Sequence, residues 1–283
     1  AERLRVLRRA LGTEGADAAS SPLLGAALGA AAQFVATLAR LDHPGREELL
    51  SAGLACARHL APAGRSALIE QLAPEYDAQV VLKLDEYNNA DYSGLTADNF
   101  RSVDVAIEFS TPHAVVANLE RLIGLGVNTV VGTTGWNERL PHIRDLVDRH
   151  KTGLIWSPNY SIGVNVFTRL ANEAARLLAN EKEYGAWGWE IHHITKKDAP
   201  SGTLLKLVEG MKNSGYTRPI DVSSNRAGAH PGTHEIGFDS AADTLTLRHV
   251  ARSREGFARG ALKAAQWIAG KSGMYEFSEI LFR

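Results

Sequence analysis

Cysteine is almost missing from this chain: among 283 residues there is one, Cys56. A single thiol excludes an internal disulfide framework and any cysteine-rich zinc or iron–sulfur site, and it fits a reducing cytoplasm, which is where the protein is expected. An excess of positive charge is missing as well. Lys and Arg number 31 against 32 Asp and Glu, for a formal net charge of -1, so nothing is on hand to neutralise a phosphate backbone, and nucleic acid is excluded as a principal partner. Long apolar runs are also lacking. The least polar stretch, residues 22–41, is built on Ala and Gly, which transfer little apolar area, so it reads as an ordinary helix and no membrane partner is expected. No pattern of metal ligands is read in the sequence. An apolar fraction of 45% suits one large globular domain or two modest ones.

Residues 1–60 are rich in Ala, Leu and Arg with few β-branched side chains, so they read as a helical segment of unassigned role. After Gly64 the character changes. A helical stretch at 66–72 leads into residues 78–85, which read as a strand ending in the acid Asp85. Further strands are expected at 103–109, 128–131 and 152–156, with helices at 114–125 and 140–149 between them. This alternation favours a parallel sheet with right-handed crossovers, whose ligands bind at the carboxyl ends of the strands. A helix over 165–179 follows, then strand patterns at 187–194, 234–238 and 244–250 that suggest a second, mostly antiparallel layer. A last helix, 256–269, carries small residues suited to close packing.

The sharpest local signal is His192-His193-Ile194-Thr195-Lys196-Lys197, followed by Asp198-Ala199-Pro200-Ser201-Gly202-Thr203. With Pro200 in the first turn of a helix, the amides of Ser201, Gly202 and Thr203 would point outward unpaired and form an anion site. Two imidazoles and two ammonium groups upstream would add positive potential and candidate proton donors, which suits a small carboxylated substrate. The same residues also fit a capped helix with solvated lysines.

The segment from Glu190 to Thr203 resembles the signature of the 4-hydroxy-tetrahydrodipicolinate reductase family, also called dihydrodipicolinate reductase. Other blocks agree in order. Val131-Gly132-Thr133-Thr134-Gly135-Trp136 resembles its Gly-Thr-Thr-Gly turn, and Ser157-Pro158-Asn159-Tyr160-Ser161 its Asn-aromatic-Ser block. Residues 226–238 resemble its Arg, Gly, Gly-x-His run, and 249–261 match its closing block. The resemblance covers the chain from about Gly64 onward. It implies an NAD(P)H-dependent reductase of a cyclic imine dicarboxylate in lysine and diaminopimelate biosynthesis. By resemblance His192 is the proton donor or acceptor and Lys196 the second acid, while His193, Gly202 and Thr203 hold substrate. Arg254 is a candidate for a further carboxylate contact, or for a helix-start salt bridge. A homotetramer assembled through the sheet of the second domain is implied too.

For the cofactor, Gly132, Thr133 and Thr134 would meet the nicotinamide ribose, with Ser157, Pro158, Asn159, Tyr160 and Ser161 on the same edge; a bare turn is the alternative for each. Asp85 would accept from the adenosine ribose or be a plain surface carboxylate. With Glu86 beside it, where a base would favour a 2'-phosphate, NADH is expected to serve at least as well as NADPH. The family opens with an apolar strand and a Gly-x-x-Gly-Arg-Met-Gly loop. Residues 61–67 keep only Gly64 and Arg65 of it, and Ala and Pro replace the tight-turn glycine poorly.

The expected fold is therefore α/β. A Rossmann-like parallel-sheet domain, atypical in its first strand and loop, spans 61–161 and 251–283, and an α+β substrate domain with a mostly antiparallel sheet spans 162–250. Residues 1–63 lie outside the resemblance, whether as a fused or divergent segment, a joined or shifted start, or a remodelling that abolishes dinucleotide binding. The last case leaves a non-catalytic dicarboxylate-binding or regulatory homologue as the alternative function.

Overall fold

The structure, a computed structural model, describes residues 65–85 and 88–282. The expected helical segment 1–60 and the loop residue Gly64 lie outside the described residues, and of Arg65 only the backbone, at the start of a helix, is described. In chain order the strands are β1 (Val105–Glu108), β2 (Asn128–Val131), β3 (Gly153–Trp156), β4 (Gly185–His192), β5 (Ile220–Arg226), β6 (Thr233–Asp239), β7 (Thr244–Val250) and β8 (Gly273–Glu276). The α-helices are α1 (Arg65–Leu72), α2 (Val115–Gly124), α3 (Leu140–His150), α4 (Ile162–Leu177), α5 (Gly202–Asn213), α6 (Glu255–Ile268) and α7 (Phe277–Leu281).

The first sheet is parallel throughout, in the order β1-β2-β3-β8. Its middle strands are almost wholly buried, β3 as an apolar run and β2 through Thr129, Val130 and Val131, as cover on both faces requires. Helix α2 buries Val115, Leu119, Leu122 and Ile123, one stripe at helical spacing. That stripe joins Ile143 and Val147 of α3 with Val131 and Leu154 of the sheet in one core. Helix α6 packs on the sheet through Ala258, Gly260, Ala261 and Ala264. Small residues are needed there, because a Cβ on Gly260 would lie 1.7 Å from the Tyr160 carbonyl oxygen.

The second sheet has the order β5-β4-β6-β7. β4–β6 and β6–β7 are antiparallel and β4–β5 is parallel, so the layer is mostly antiparallel. Its inner face meets α4 and α5 in a core that includes Phe167, Leu204, Leu207, Met211 and Phe238. α4 begins earlier than the expected 165 because the Ser161 side chain caps it, accepting from the Val164 amide.

One expected strand is corrected. Residues 78–85 form no ladder with any described strand. Alternation alone does not make a strand, since its backbone groups need a neighbour. Val81 is 55% exposed, and the stretch is held by side chains instead, with Asn88 Nδ2 donating to the Lys83 carbonyl and Lys83 paired with Glu70. β5, β8 and α7 were not anticipated from the sequence. Among the described residues no helix is long and apolar enough to cross a membrane.

Candidate active site

Burial alternates along β4, so Gly188, Glu190 and His192 face inward together. Register gathers the rest. Glu190 stands opposite Ser224 of β5 and His234 of β6, and Arg226 stands opposite His192. The Glu190 carboxylate is fully buried. Its Oε1 accepts from the Ser201 amide at 2.9 Å, the Ser224 hydroxyl at 3.0 Å and Arg226 Nη2 at 2.9 Å. Its Oε2 accepts from the Ser201 hydroxyl. His234 Nε2 lies 3.3 Å and His192 Nδ1 3.6 Å from that same Oε2. Arg226 also donates to the Asp198 carbonyl, tying the strand to the loop that follows β4.

That loop carries the lysines and folds on itself. Lys196 N–H donates to the His193 carbonyl at 3.1 Å, and His193 Nδ1 lies 2.6 Å from the Thr195 hydroxyl. Lys196 Nζ meets both oxygens of Asp198, at 2.7 and 2.9 Å, while Lys197 is exposed. The expected helix start is corrected in two respects. Ser201, not Pro200, is the boundary: its side chain caps α5 by accepting from the Leu204 amide, and Pro200 precedes the cap. The amides expected to be unpaired are partly engaged, Ser201's by Glu190 and Gly202's by Asp198 Oδ2 at 3.4 Å. Gly202 is exposed and Thr203 half-buried.

Burial holds Glu190 up, but the Ser201 hydroxyl, Arg226, the Ser201 amide and Ser224 outweigh it, so the carboxyl lies below its ordinary range. His192 is pushed down by burial, with Lys196, Arg226 and His193 adding to the effect and Glu190 opposing it. His234 is driven by burial and by His192 to about 4. Burial and the charges of Arg254, Lys196 and Arg226 lower His193. The cluster therefore holds neutral imidazoles beside an ionised carboxylate near pH 7. Glu190, His192 and His234 each present a ligand atom within 4.8 Å of the others. A cation there would have to displace the Arg226 guanidinium and the serine hydroxyl, so the chemistry favours proton handling.

Of the predicted cofactor residues, Gly132 to Thr134 follow β2 and Ser157 to Ser161 follow β3, at the carboxyl ends of those strands; Arg65 and Asp85 lie outside that sheet. Gly132 follows β2, and a Cβ there would sit 1.8 Å from the Phe109 ring, so close packing with Phe109 demands the glycine. Thr133 is buried with its hydroxyl unpartnered, and Thr134 is exposed. Ser157 is buried and donates to the Asn159 carbonyl, with Pro158 and Asn159 half-buried beside it. Tyr160 is in the core, where its hydroxyl donates to the Val131 and Ile155 carbonyls, and Ser161 caps α4. Both residues are spent on the fold: the Ser161 amide donates to Asn159 Oδ1, its carbonyl accepts from Asn165, and the Tyr160 carbonyl packs against Gly260. Asp85 is exposed, and its carboxylate holds the Asn88 amide at 3.1 Å. An orphan Thr133 hydroxyl among small residues where three parallel strands end fits the nicotinamide end of a dinucleotide.

The structure thus brings His192, His193 and Lys196 near one another and links Lys196 to the Gly202 amide through Asp198, with exposed Arg254 close enough for its charge to act on His193. Sequence reasoning left Glu190, Asp198, Arg226 and His234 without roles, and gave Ser201 only an outward amide. The signal was there for the first: Glu190 and His192, two apart in a strand, must share a face.

Two family models match the chain in order: "Dihydrodipicolinate reductase, N-terminus" over residues 66–160 and "Dihydrodipicolinate reductase, C-terminus" over 163–281. The chain is 32% identical over 224 residues to the 4-hydroxy-tetrahydrodipicolinate reductase of Christiangramia forsetii, covering 75% of this chain and 92% of that protein. It is 36% identical over 194 residues to the one from Methanosarcina mazei, covering 63% and 73%. In fold it is similar to a dipicolinate-bound dihydrodipicolinate reductase from Paenisporosarcina sp. TG-14, with a TM-score of 0.63 at 22% identity over 77% of this chain and 97% of that one. The chain belongs to the 4-hydroxy-tetrahydrodipicolinate reductase family.

Proposed function

We propose that this chain reduces 4-hydroxy-tetrahydrodipicolinate to tetrahydrodipicolinate with a nicotinamide dinucleotide, releasing water, in lysine and diaminopimelate biosynthesis. The observation that carries the reading is the buried Glu190 carboxylate, which stands beside His192 and bonds to Ser201 at the start of α5, within a chain that both family models cover in order.

The dinucleotide supplies a hydride to the electrophilic carbon of the substrate. Gly132, Thr133, Thr134 and Ser157 through Ser161 hold its nicotinamide end, and Gly64, Arg65 and Asp85 serve the rest. His192 gives the proton needed when the 4-hydroxyl leaves as water. Its imidazole is lowered within the protein, and a bound dicarboxylate beside it raises its affinity for that proton. Lys196 is the second acid and stabilises charge that develops during reduction. His193, Gly202, Thr203 and Arg254 hold the substrate carboxylates.

Residues 61–161 with 251–283 form the dinucleotide domain and 162–250 the substrate domain. NADH serves at least as well as NADPH, because the sequence has the acids Asp85 and Glu86, the latter outside the described residues, where a 2'-phosphate would need a base. A cytoplasmic homotetramer built on the outer face of the second sheet completes the reading. Trp187 and Trp189 stand half-buried on that face, a surface suited to a partner.

Fluorescence titration with NADH and NADPH, followed by turnover of freshly made 4-hydroxy-tetrahydrodipicolinate, tests this. Binding of both cofactors, NADH no weaker, with dinucleotide oxidation only when substrate is present is expected. A folded sample that neither binds nor oxidises them would overturn it, and a clear NADPH preference would overturn the cofactor assignment alone.

A further inference from the structure

The Glu190 carboxylate is engaged from four elements. Ser224 and Arg226 reach it from β5, Ser201 from the start of α5 and His234 from β6, while His192 stands two residues along its own strand. No solvent reaches it. A buried carboxylate is costly unless its lone pairs are met, and here each oxygen has a donor, so the group is rigid and ionised. His192 Nδ1 is itself buried, has no hydrogen-bond partner and lies 3.6 Å from Glu190 Oε2. The other edge of the ring abuts Gly232, where a Cβ would stand 3.1 Å from Nε2 and Cδ2.

We propose that Glu190 is a positioning residue for the reduction: its carboxylate fixes the tautomer and tilt of His192 and locks the start of α5 at a set distance from that ring. The inference rests on the functional reading above. A proton on Nδ1 satisfies the carboxylate side, so Nε2 is the atom that exchanges protons on the Gly232 side. Apo catalytic contacts of this kind are often long and tighten in the complex. Glu190 also opposes the positive groups that act on His192, which are Lys196 and His193 from the loop and Arg226 from β5. His234 from β6 faces the ring with centroids 5.0 Å apart, and Asp198 neutralises Lys196.

The test uses the full chain with Glu190→Gln and Glu190→Asp, fresh 4-hydroxy-tetrahydrodipicolinate and NADH, across pH. Glu190→Gln is expected to lower kcat roughly a hundredfold with dinucleotide binding unchanged. Loss of the opposing charge also moves the alkaline limb of the rate profile to lower pH. Glu190→Asp retains the limb position. Unchanged kcat in Glu190→Gln, or a loss with the limb unmoved, would overturn the proposal. Nitrogen-15 spectra of the wild-type imidazoles supply a readout that needs neither turnover nor a folded variant. The Nδ1–H tautomer of neutral His192 is expected, and the Nε2–H tautomer would overturn the role of Glu190. If the wild type does not turn over, the functional reading fails while the tautomer still decides this inference.

Discussion

Ser201 bonds twice to the Glu190 carboxylate, its amide to Oε1 at 2.9 Å and its hydroxyl to Oε2, while that same hydroxyl caps α5 by accepting from the Leu204 amide. One side chain thereby joins a strand end to a helix start. Ser201→Ala removes a cap and a donor to a buried carboxylate, so unfolding in urea is expected to show a loss of about 2 kcal/mol. A midpoint equal to wild type would contradict this.

His192→Ala and Lys196→Ala are each expected to lower turnover by roughly a hundredfold or more. Neither residue lies on the parallel sheet that carries the proposed cofactor edge, so fluorescence titration should give wild-type dinucleotide affinity in both. Unchanged turnover in either variant removes that residue from its role.

Stability should fall in mild acid. His234 takes up a proton at about 4 in the folded protein against an ordinary 6.5. The unfolded chain therefore binds more protons between those values, and stability declines as pH drops through that window. The gap corresponds to roughly 3 kcal/mol at its full extent. Glu190, held below its ordinary range, acts in the same direction at the acid end, because its donors lose their acceptor on protonation. Denaturation between pH 7 and pH 4 checks the decline, and His234→Gln should flatten it above the carboxylate range.

Gly260→Ala places a methyl group 1.7 Å from the Tyr160 carbonyl oxygen. The helix carrying it lies against the parallel sheet, so the contact is relieved only by lifting α6 away. A loss of about 2 kcal/mol or more is expected in thermal or chemical unfolding, whereas Gly124→Ala, whose Cβ would meet nothing within 4 Å, should leave stability unchanged or raise it.

What the sequence disclosed follows from how local each signal is. β2, at 128–131, and β7, at 244–250, coincide with their expected spans because their own residues carry the pattern. β5 did not show: Ile-Asp-Val-Ser-Ser-Asn-Arg is polar and largely exposed, and its order comes from a parallel ladder to β4 more than thirty residues away. β8 likewise depends on β3, far upstream. Residues 78–85 err the other way, with strand-like alternation but no described partner. In the site, His192 and Lys196 stood out by their chemistry, whereas Arg226 and His234 reach Glu190 only through strand register, which residue type does not announce.

Asp198 clasps Lys196 and lies 3.4 Å from the Gly202 amide, so an incoming carboxylate would find its berth already held by one of the protein's own. Association then becomes a swap of one anion for another, and the net gain is the difference between two similar contacts. With the substrate held as proposed, such a site would discriminate by shape and by the second carboxylate of its guest more than by charge alone. Simple monoacids, able to replace Asp198 but with nothing left to offer Arg254 or His193, would be turned away without any steric barrier.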